Sequence, residues 1–535
     1  MGEQTSGGRG GLAQRAGIVA AGTLVSRVLG VLRESVIAAF FPAATIDLWI
    51  VAFTIPNTLR GLLAEGAASA AFVPLYAELR AREGDVAARA FHARAAGAML
   101  VALAAVTAVG VVAAPAIVTA FASGYLEAPA RFSTTVGLTR LVFPYIFFMG
   151  MAALSAGALN AHRSFAVPAL APALLNVALI AAPVAFVPAA AALGFPPVGA
   201  LGLGALLGGA LQVVAQWPAL RRVGLLQRPR IELSDPHVQR AMRLLGPVAA
   251  GLGVYQLNLM LSRTLASWLP QGSQSYLWFG QRLVEVPQGM FAVAVATAAL
   301  PVLADLRARG DRDGLLAMFR EALRTTLFVA VPASVLLVVL AEPLVSALYQ
   351  RGAFGRFETL ETARSLAWQA SGVWAVAAVR VIVPVFHAHN DTRTPVLASA
   401  VNLVTFAALG VALSRAFAHT GIAIAISAAG ILQGAVLLRF LRAKLGPLGL
   451  REVIASAARV ALASGAMALA AWSVAQRGSW HDGADAADFL VLGAALVAGG
   501  LVYLGTAAAL KAPELGPVVA KVRARLHRRG PDAGA

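Results

Sequence analysis

Cysteine is missing from the 535 residues, so disulfide staples, thiolate nucleophiles and cysteine-held metals are excluded. Charge is scarce as well. Asp, Glu, Lys and Arg make up 13% of the chain, where a soluble domain carries nearer ~25%. Hydrophobic residues reach 59%, more than one water-soluble core of this length can hide. A bilayer can hide them. A helix crosses it with roughly 20 apolar residues, and such runs recur from end to end. They are too continuous for the two-residue alternation of a barrel, and backbone polar groups in lipid must be satisfied internally, so helices are expected. No Walker loop, zinc motif or nucleophile elbow stands in a supporting context. Glycine-rich 198–209 lies inside an apolar run, where helix packing explains it. His387 and His389 close a segment with no third ligand nearby. The chain therefore reads as no enzyme, with no metal and no cofactor.

What is present is basic charge, 43 Lys and Arg against 25 Asp and Glu, a formal net +18. The basic residues sit mainly in short loops, which points to membrane topology and anionic head groups and away from nucleic acid. Hydropathy gives an all-α membrane protein of about fourteen transmembrane helices. The approximate spans are 16–40, 46–78, 90–121, 136–159, 167–189, 195–218, 239–268, 273–302, 317–347, 361–387, 394–416, 420–442, 452–476 and 487–510. Alternate loops are rich in arginine: Arg80, Arg82 and Arg89, then Arg221, Arg222, Arg228 and Arg230, then Arg307, Arg309 and Arg312. The positive-inside rule makes that set cytoplasmic and puts both termini inside, in accord with an even number of spans. The arm 1–15 is polar, and no small-residue cleavage site follows the first run, so that helix is expected to be retained. The tail 511–535 is basic and reads as a solvated membrane-surface segment.

Ionisable groups at bilayer depth cost about 2.5 to 3.5 kcal/mol each on insertion scales and persist where they face a cavity or a partner. The first span carries Ser26, Arg27, Gly30, Arg33 and Glu34. Arg27 and Glu34 fall two turns apart on nearly one face, with Gly30 between them open to a neighbour or ligand. The second span carries Asp47 near its outer end, then Pro56, Asn57, Arg60 and Glu65. Pro56 should kink or loosen it. The eighth carries Arg282 and Glu285, three residues apart, and Arg263 and Arg380 are further buried candidates. Two readings compete. These groups form internal ion pairs, such as Arg27 with Glu34 and Arg282 with Glu285, or the arginines line a hydrated cavity and bind an anion. Arginine suits phosphate through its planar fork of donors and stays charged when buried. Six arginines against four acids favours the cavity.

The motifs resemble those of the MurJ (MviN) lipid II flippase family. Ser26-Arg-Val-Leu-Gly-Val-Leu-Arg-Glu34 is similar to its first-helix signature, and Asp47 through Pro74 to its second helix. Further likenesses are Phe143-Pro-Tyr145, Asn160 through Phe165, Gln281-Arg-Leu-Val-Glu285, Leu348 through Phe354 and Asp391-Thr-Arg-Thr-Pro395, over about 16–510.

The resemblance implies the multidrug/oligosaccharidyl-lipid/polysaccharide exporter fold, two six-helix lobes in a V around a central cationic cavity. The lobes would be 16–218 and 239–442, joined by a basic cytoplasmic linker 219–238, with a helix pair at 452–510 making a groove for the lipid tail. It implies movement of the undecaprenyl-linked peptidoglycan precursor lipid II across the bacterial inner membrane by alternating access. The family's cavity arginines fall on Arg27, Arg33, Arg60 and Arg282, holding the pyrophosphate and head group. Supporting or gating positions fall on Ser26, Gly30, Glu34, Asp47, Asn57, Glu65 and Glu285. The chain departs from the family at Glu34, where Asp is usual, and at Ser262, where an acid commonly precedes the arginine. A sodium site between the seventh and eleventh helices is not supported, because 239–268 and 394–416 hold no carboxylate, only Asn258 and Asn402. Membrane potential is the expected drive. The protein is expected to be a monomer in contact with membrane lipids and cell-wall synthesis proteins. An exporter of another lipid-linked oligosaccharide and a non-transporting scaffold are the alternatives.

Overall fold

Apolar runs of this composition satisfy their backbone only as helices, and helices are what form. The computed structural model describes residues 6–60, 72–288 and 293–516, and no β-strand occurs among them. Nine helices among these residues are long and apolar enough to cross a membrane. The chain is an all-α membrane protein of many passes.

The first predicted spans appear as α1 (Ser6–Phe40) and α2 (Ala43–Arg60). Pro56 lies inside α2 without ending it. Then come α3 (Val73–Val112), α4 (Ala114–Phe121), α5 (Pro129–Val142) and α6 (Tyr145–Ala161). The helix α3 contains both the end of the span predicted at 46–78 and most of that at 90–121. They meet at Gly84, whose φ of 86° is open to glycine and costly for other residues. The span predicted at 136–159 is divided between α5 and α6 at Pro144, whose missing N–H and ring interrupt the ladder. Next are α7 (Ala166–Ala185), α8 (Val187–Ala192), α9 (Gly199–Val214), α10 (Trp217–Arg222), α11 (Pro236–Ser267), α12 (Ser273–Pro287) and α13 (Val293–Ala308). The series closes with α14 (Arg312–Val339), α15 (Ala341–Tyr349), α16 (Arg356–Ala370), α17 (Val373–Ala388), α18 (Arg393–Leu445), α19 (Arg451–Ala475) and α20 (Ala486–Ala509). Two predicted spans run together in α18, with a non-helical turn at Ala418 marking their boundary.

The chain divides into two compact units, Met1–Ser275 with Gly352–Phe354, and Tyr276–Arg351 with Gly355–Ala535. In the first, α1 packs on α7, α7 on α9 and α3 on α6. One of its cores gathers Phe72, Tyr76, Phe91, Leu154 and Leu159. In the second, Phe319, Ile382, Phe386 and Leu437 fill the space between α14, α17 and α18. The α19–α20 pair is fastened to this unit at both ends. The Tyr503 hydroxyl donates to the Phe328 carbonyl at 2.5 Å, and Arg324 Nε of α14 lies 3.5 Å from Glu514 Oε1, which also accepts from the Ser456 hydroxyl at 2.8 Å. At the other end the Ser346 hydroxyl donates to the Trp480 carbonyl at 3.2 Å, and Gln350 Nε2 to the His481 carbonyl at 2.7 Å.

Between α17 and α18, Asp391 is held by Lys444 Nζ at 2.6 Å and by the N–H and hydroxyl of Thr394 at 3.0 and 2.9 Å. The Lys444 hydrogen bond first, then the Thr394 N–H, pull its carboxyl down to about 2. A depressed folded value means stability that is complete above the ordinary carboxylate value and disappears as pH falls toward the folded one. The thermal midpoint of the wild type should therefore exceed that of Lys444→Met by a constant margin above pH ~5. That margin should vanish near pH ~2, read by unfolding in detergent across the acid range. A margin that persisted at the acid end would rule out the ion pair as its source.

Candidate functional site

The polar residues of α1 meet a partner that lies far away in sequence. Asn176 is buried on α7, the helix packed against α1. Its Nδ2 donates to the Ser26 carbonyl at 2.9 Å and approaches the Ser26 hydroxyl at 3.4 Å. Its Oδ1 accepts from Arg33 Nη1 at 3.0 Å. Arg33 also forms an ion pair with the buried carboxylate of Glu34. Arg33 is thus fixed from two sides.

The expected pairing of Arg27 with Glu34 is corrected. Both lie on one helical face, but Glu34 is taken by its immediate neighbour Arg33, whose long side chain reaches around the helix. Arg27 is exposed and has no ion pair or hydrogen bond among the described residues. Near Gly30, no described atom comes within 4 Å of the position a Cβ would take.

On α2, Arg60 Nε donates to Asn57 Oδ1 at 3.1 Å, one turn back. Asp47 is among the most buried charged residues, 1% exposed. It accepts from the Gly272 N–H at 2.7 Å, the Ser275 N–H at 2.9 Å and the Ser275 hydroxyl at 2.8 Å. Arg131 Nη2 lies 3.4 Å away, and its guanidinium sits 4.3 Å over the Tyr125 ring. Glu65 lies outside the described residues.

In the second unit, Arg282 pairs with Glu285 Oε2 at 2.7 Å, as the three-residue spacing predicts. The Arg282 guanidinium also stacks 4.0 Å over the Trp278 ring, a cation–π contact sequence spacing alone did not single out. The two further arginines have structural partners. Buried Arg263 donates to Gln274 Oε1 at 3.3 Å and receives the Gln274 amide on its own carbonyl at 2.7 Å. Arg380 donates to the Gln288 carbonyl at 3.1 Å.

The arrangement is therefore mixed. Arg33 and Arg282 are paired yet only partly buried, with 14% and 28% of their side chains exposed. Sequence reasoning missed Asn176 and Arg131. A polar amide inside an apolar run is the only signal for Asn176, and Arg131 stands outside every motif that the sequence offers.

Comparison with known proteins gives a consistent result. A family model described as lipid II flippase MurJ matches residues 36–484. A probable lipid II flippase MurJ of Vibrio cholerae is 34% identical over 504 residues, covering 92% of this chain and 94% of that protein. The lipid II flippase MurJ of Burkholderia cenocepacia is 35% identical over 425 residues, 78% of this chain and 82% of the relative. Among solved structures, a lipid II flippase MurJ in an inward closed conformation aligns with a TM-score of 0.73 at 25% identity, over 91% of this chain and 97% of that one. An inward-facing multidrug resistance MATE family transporter of the MOP superfamily aligns at 0.63 with 13% identity, over 80% and 96%, and shares the fold.

Proposed function

The chain belongs to the lipid II flippase MurJ family, and from that membership we propose that it carries lipid II from the inner to the outer leaflet of the bacterial cytoplasmic membrane. It is a transporter in this reading, and its chemistry is recognition rather than bond making. The substrate is an amphiphile with a pyrophosphate between lipid and sugar. Moving it requires cationic donors for the anion and a path for the head group that avoids hydrocarbon.

The observation that carries the finer reading is Arg27, an exposed guanidinium on the helix of the first predicted span, with no ion pair or hydrogen bond among the described residues. A permanently charged group in such a place is costly unless an anion or water meets it. We assign Arg27, Arg33, Arg60 and Arg282 to the pyrophosphate and head group, with Glu34 and Asn176 orienting Arg33 and Glu285 orienting Arg282. Asp47 acts as a gate in this reading, because its bonds to Gly272 and Ser275 must break before α2 can leave that segment. Transport proceeds by alternating access, driven by the membrane potential acting on the cationic groups, with both termini on the cytoplasmic side.

The test is rescue of a bacterial strain depleted of its own lipid II flippase. The wild-type chain should restore growth and the appearance of lipid II in the outer leaflet, detected by an externally added enzyme that cleaves its head group. A well-inserted wild-type protein that restores neither would overturn the proposed substrate.

A further inference from the structure

The stretch between α9 and α11 sorts its charges. Its two acids are occupied by one arginine of α3: Glu232 lies 2.7 Å from Arg94 Nε and Asp235 lies 2.9 Å from Arg94 Nη1. Asp235 also caps α11, accepting from the N–H groups of His237 and Val238 at 2.9 and 3.1 Å. Arg221, Arg222, Arg228 and Arg230 are all exposed, and among the described residues none of the four has an acidic partner. Around them along the chain stand exposed apolar side chains, Trp217 at 46%, Leu226 at 46%, Ile231 at 63% and Leu233 at 51%.

The stretch is held in place. The Arg230 N–H donates to the Ala93 carbonyl at 2.9 Å. Opposite it stands Gly97, where an added Cβ would come within 2.0 Å of the Arg230 carbonyl oxygen, so only glycine lets the chain lie this close to α3. Leu220 and Leu225 anchor it in the core shared with α3 and α6.

A solvated loop has no reason to present four large apolar side chains among four arginines. An interface between water and lipid does. Apolar side chains enter the boundary of the acyl chains while guanidinium groups stay level with the phosphates. Arg94 neutralises the two acids, so the charge this face leaves uncompensated is positive and complements an anionic leaflet. We infer that residues 217–233 form a preordered docking surface for the head groups of anionic phospholipids in the leaflet that this loop faces. Each arginine binds phosphate oxygens through its fork of donors. This holds whether or not the chain flips lipid II.

The probe is brominated phosphatidylglycerol, diluted into phosphatidylcholine nanodiscs around the full-length protein. Its quenching of Trp217 is read as the difference between the wild type and Trp217→Phe. Half-quenching in the wild type should come at a low mole fraction. In the variant with Arg221→Gln, Arg222→Gln, Arg228→Gln and Arg230→Gln it should move at least ~10-fold higher. The double variant Arg228→Gln with Arg230→Gln touches only the non-helical part and leaves the backbone bond to Ala93 intact. It should shift the same curve in the same direction, which keeps the test open if the fourfold variant does not insert. Equal quenching by brominated phosphatidylcholine would overturn the inference, as would unchanged curves in both variants. Displacement of phosphatidylglycerol by substoichiometric undecaprenyl pyrophosphate would also overturn it, by making the surface a capture site for the substrate.

Discussion

Asn176→Leu is expected to lower transport in a flippase-depleted strain by ~10- to 100-fold while the protein still inserts, and Arg33→Ala to lower it further while leaving a measurable residual rate. The figure for Asn176→Leu follows from a hydrogen bond to a charged group, worth about 1.5–3 kcal/mol. The leucine keeps the volume of the buried amide and removes both of its bonds, to the Ser26 carbonyl and from Arg33. Arg33 would then be held by Glu34 alone. A pairing with its neighbour on the same helix fixes the charge and leaves the direction of the fork free. The distinguishing measurement is the double variant. If Asn176 acts through Arg33, adding Asn176→Leu to Arg33→Ala changes nothing further in head-group accessibility at the outer leaflet. Additive losses would show that Asn176 serves α1–α7 packing and not the arginine.

Asp47→Ala should cost about 2–5 kcal/mol of stability, because it strips the partner from two buried N–H groups and leaves Arg131 unpaired. Three hydrogen bonds from Gly272 and Ser275 converge on this carboxylate. Asp47→Asn keeps one acceptor oxygen and should lose less. Denaturation midpoints in detergent for the two variants would check the order. A loss for alanine within ~0.5 kcal/mol of wild type would refute the anchoring role, since surface changes away from such contacts fall in that range.

Much of this architecture can be read from periodicity and charge. Apolar runs of about twenty residues locate the membrane helices because lipid leaves the backbone no other solution. The Arg282–Glu285 pair is legible because three residues bring side chains to one face of a helix. Residues that lie on one face need not pair, as Arg27 and Glu34 demonstrate, since a nearer arginine competes for the same carboxylate. Partners from other helices stay hidden. Asn176 is 143 positions from Arg33, and Asp47 meets Ser275 across 228. No local pattern reports such distances, which are fixed by how α1 packs on α7 and how α2 meets the turn before α12. Breaks within spans are partly visible. Pro144 and Gly84 announce themselves by residue type, but the turn at Ala418 carries no such mark.

The C-terminal helix pair offers a last consequence, for instrumentation. Tyr503 and Glu514 fasten it to its unit at one end, and Trp480 and His481 at the other. A label on the exposed outer face of α20, at Leu490 or Leu501, touches none of these bonds. Such a label has little independent swing, so its displacement in a distance measurement would report the travel of the whole second unit. The pair is a built-in pointer, and calibrating it requires no change to any residue proposed to meet the substrate.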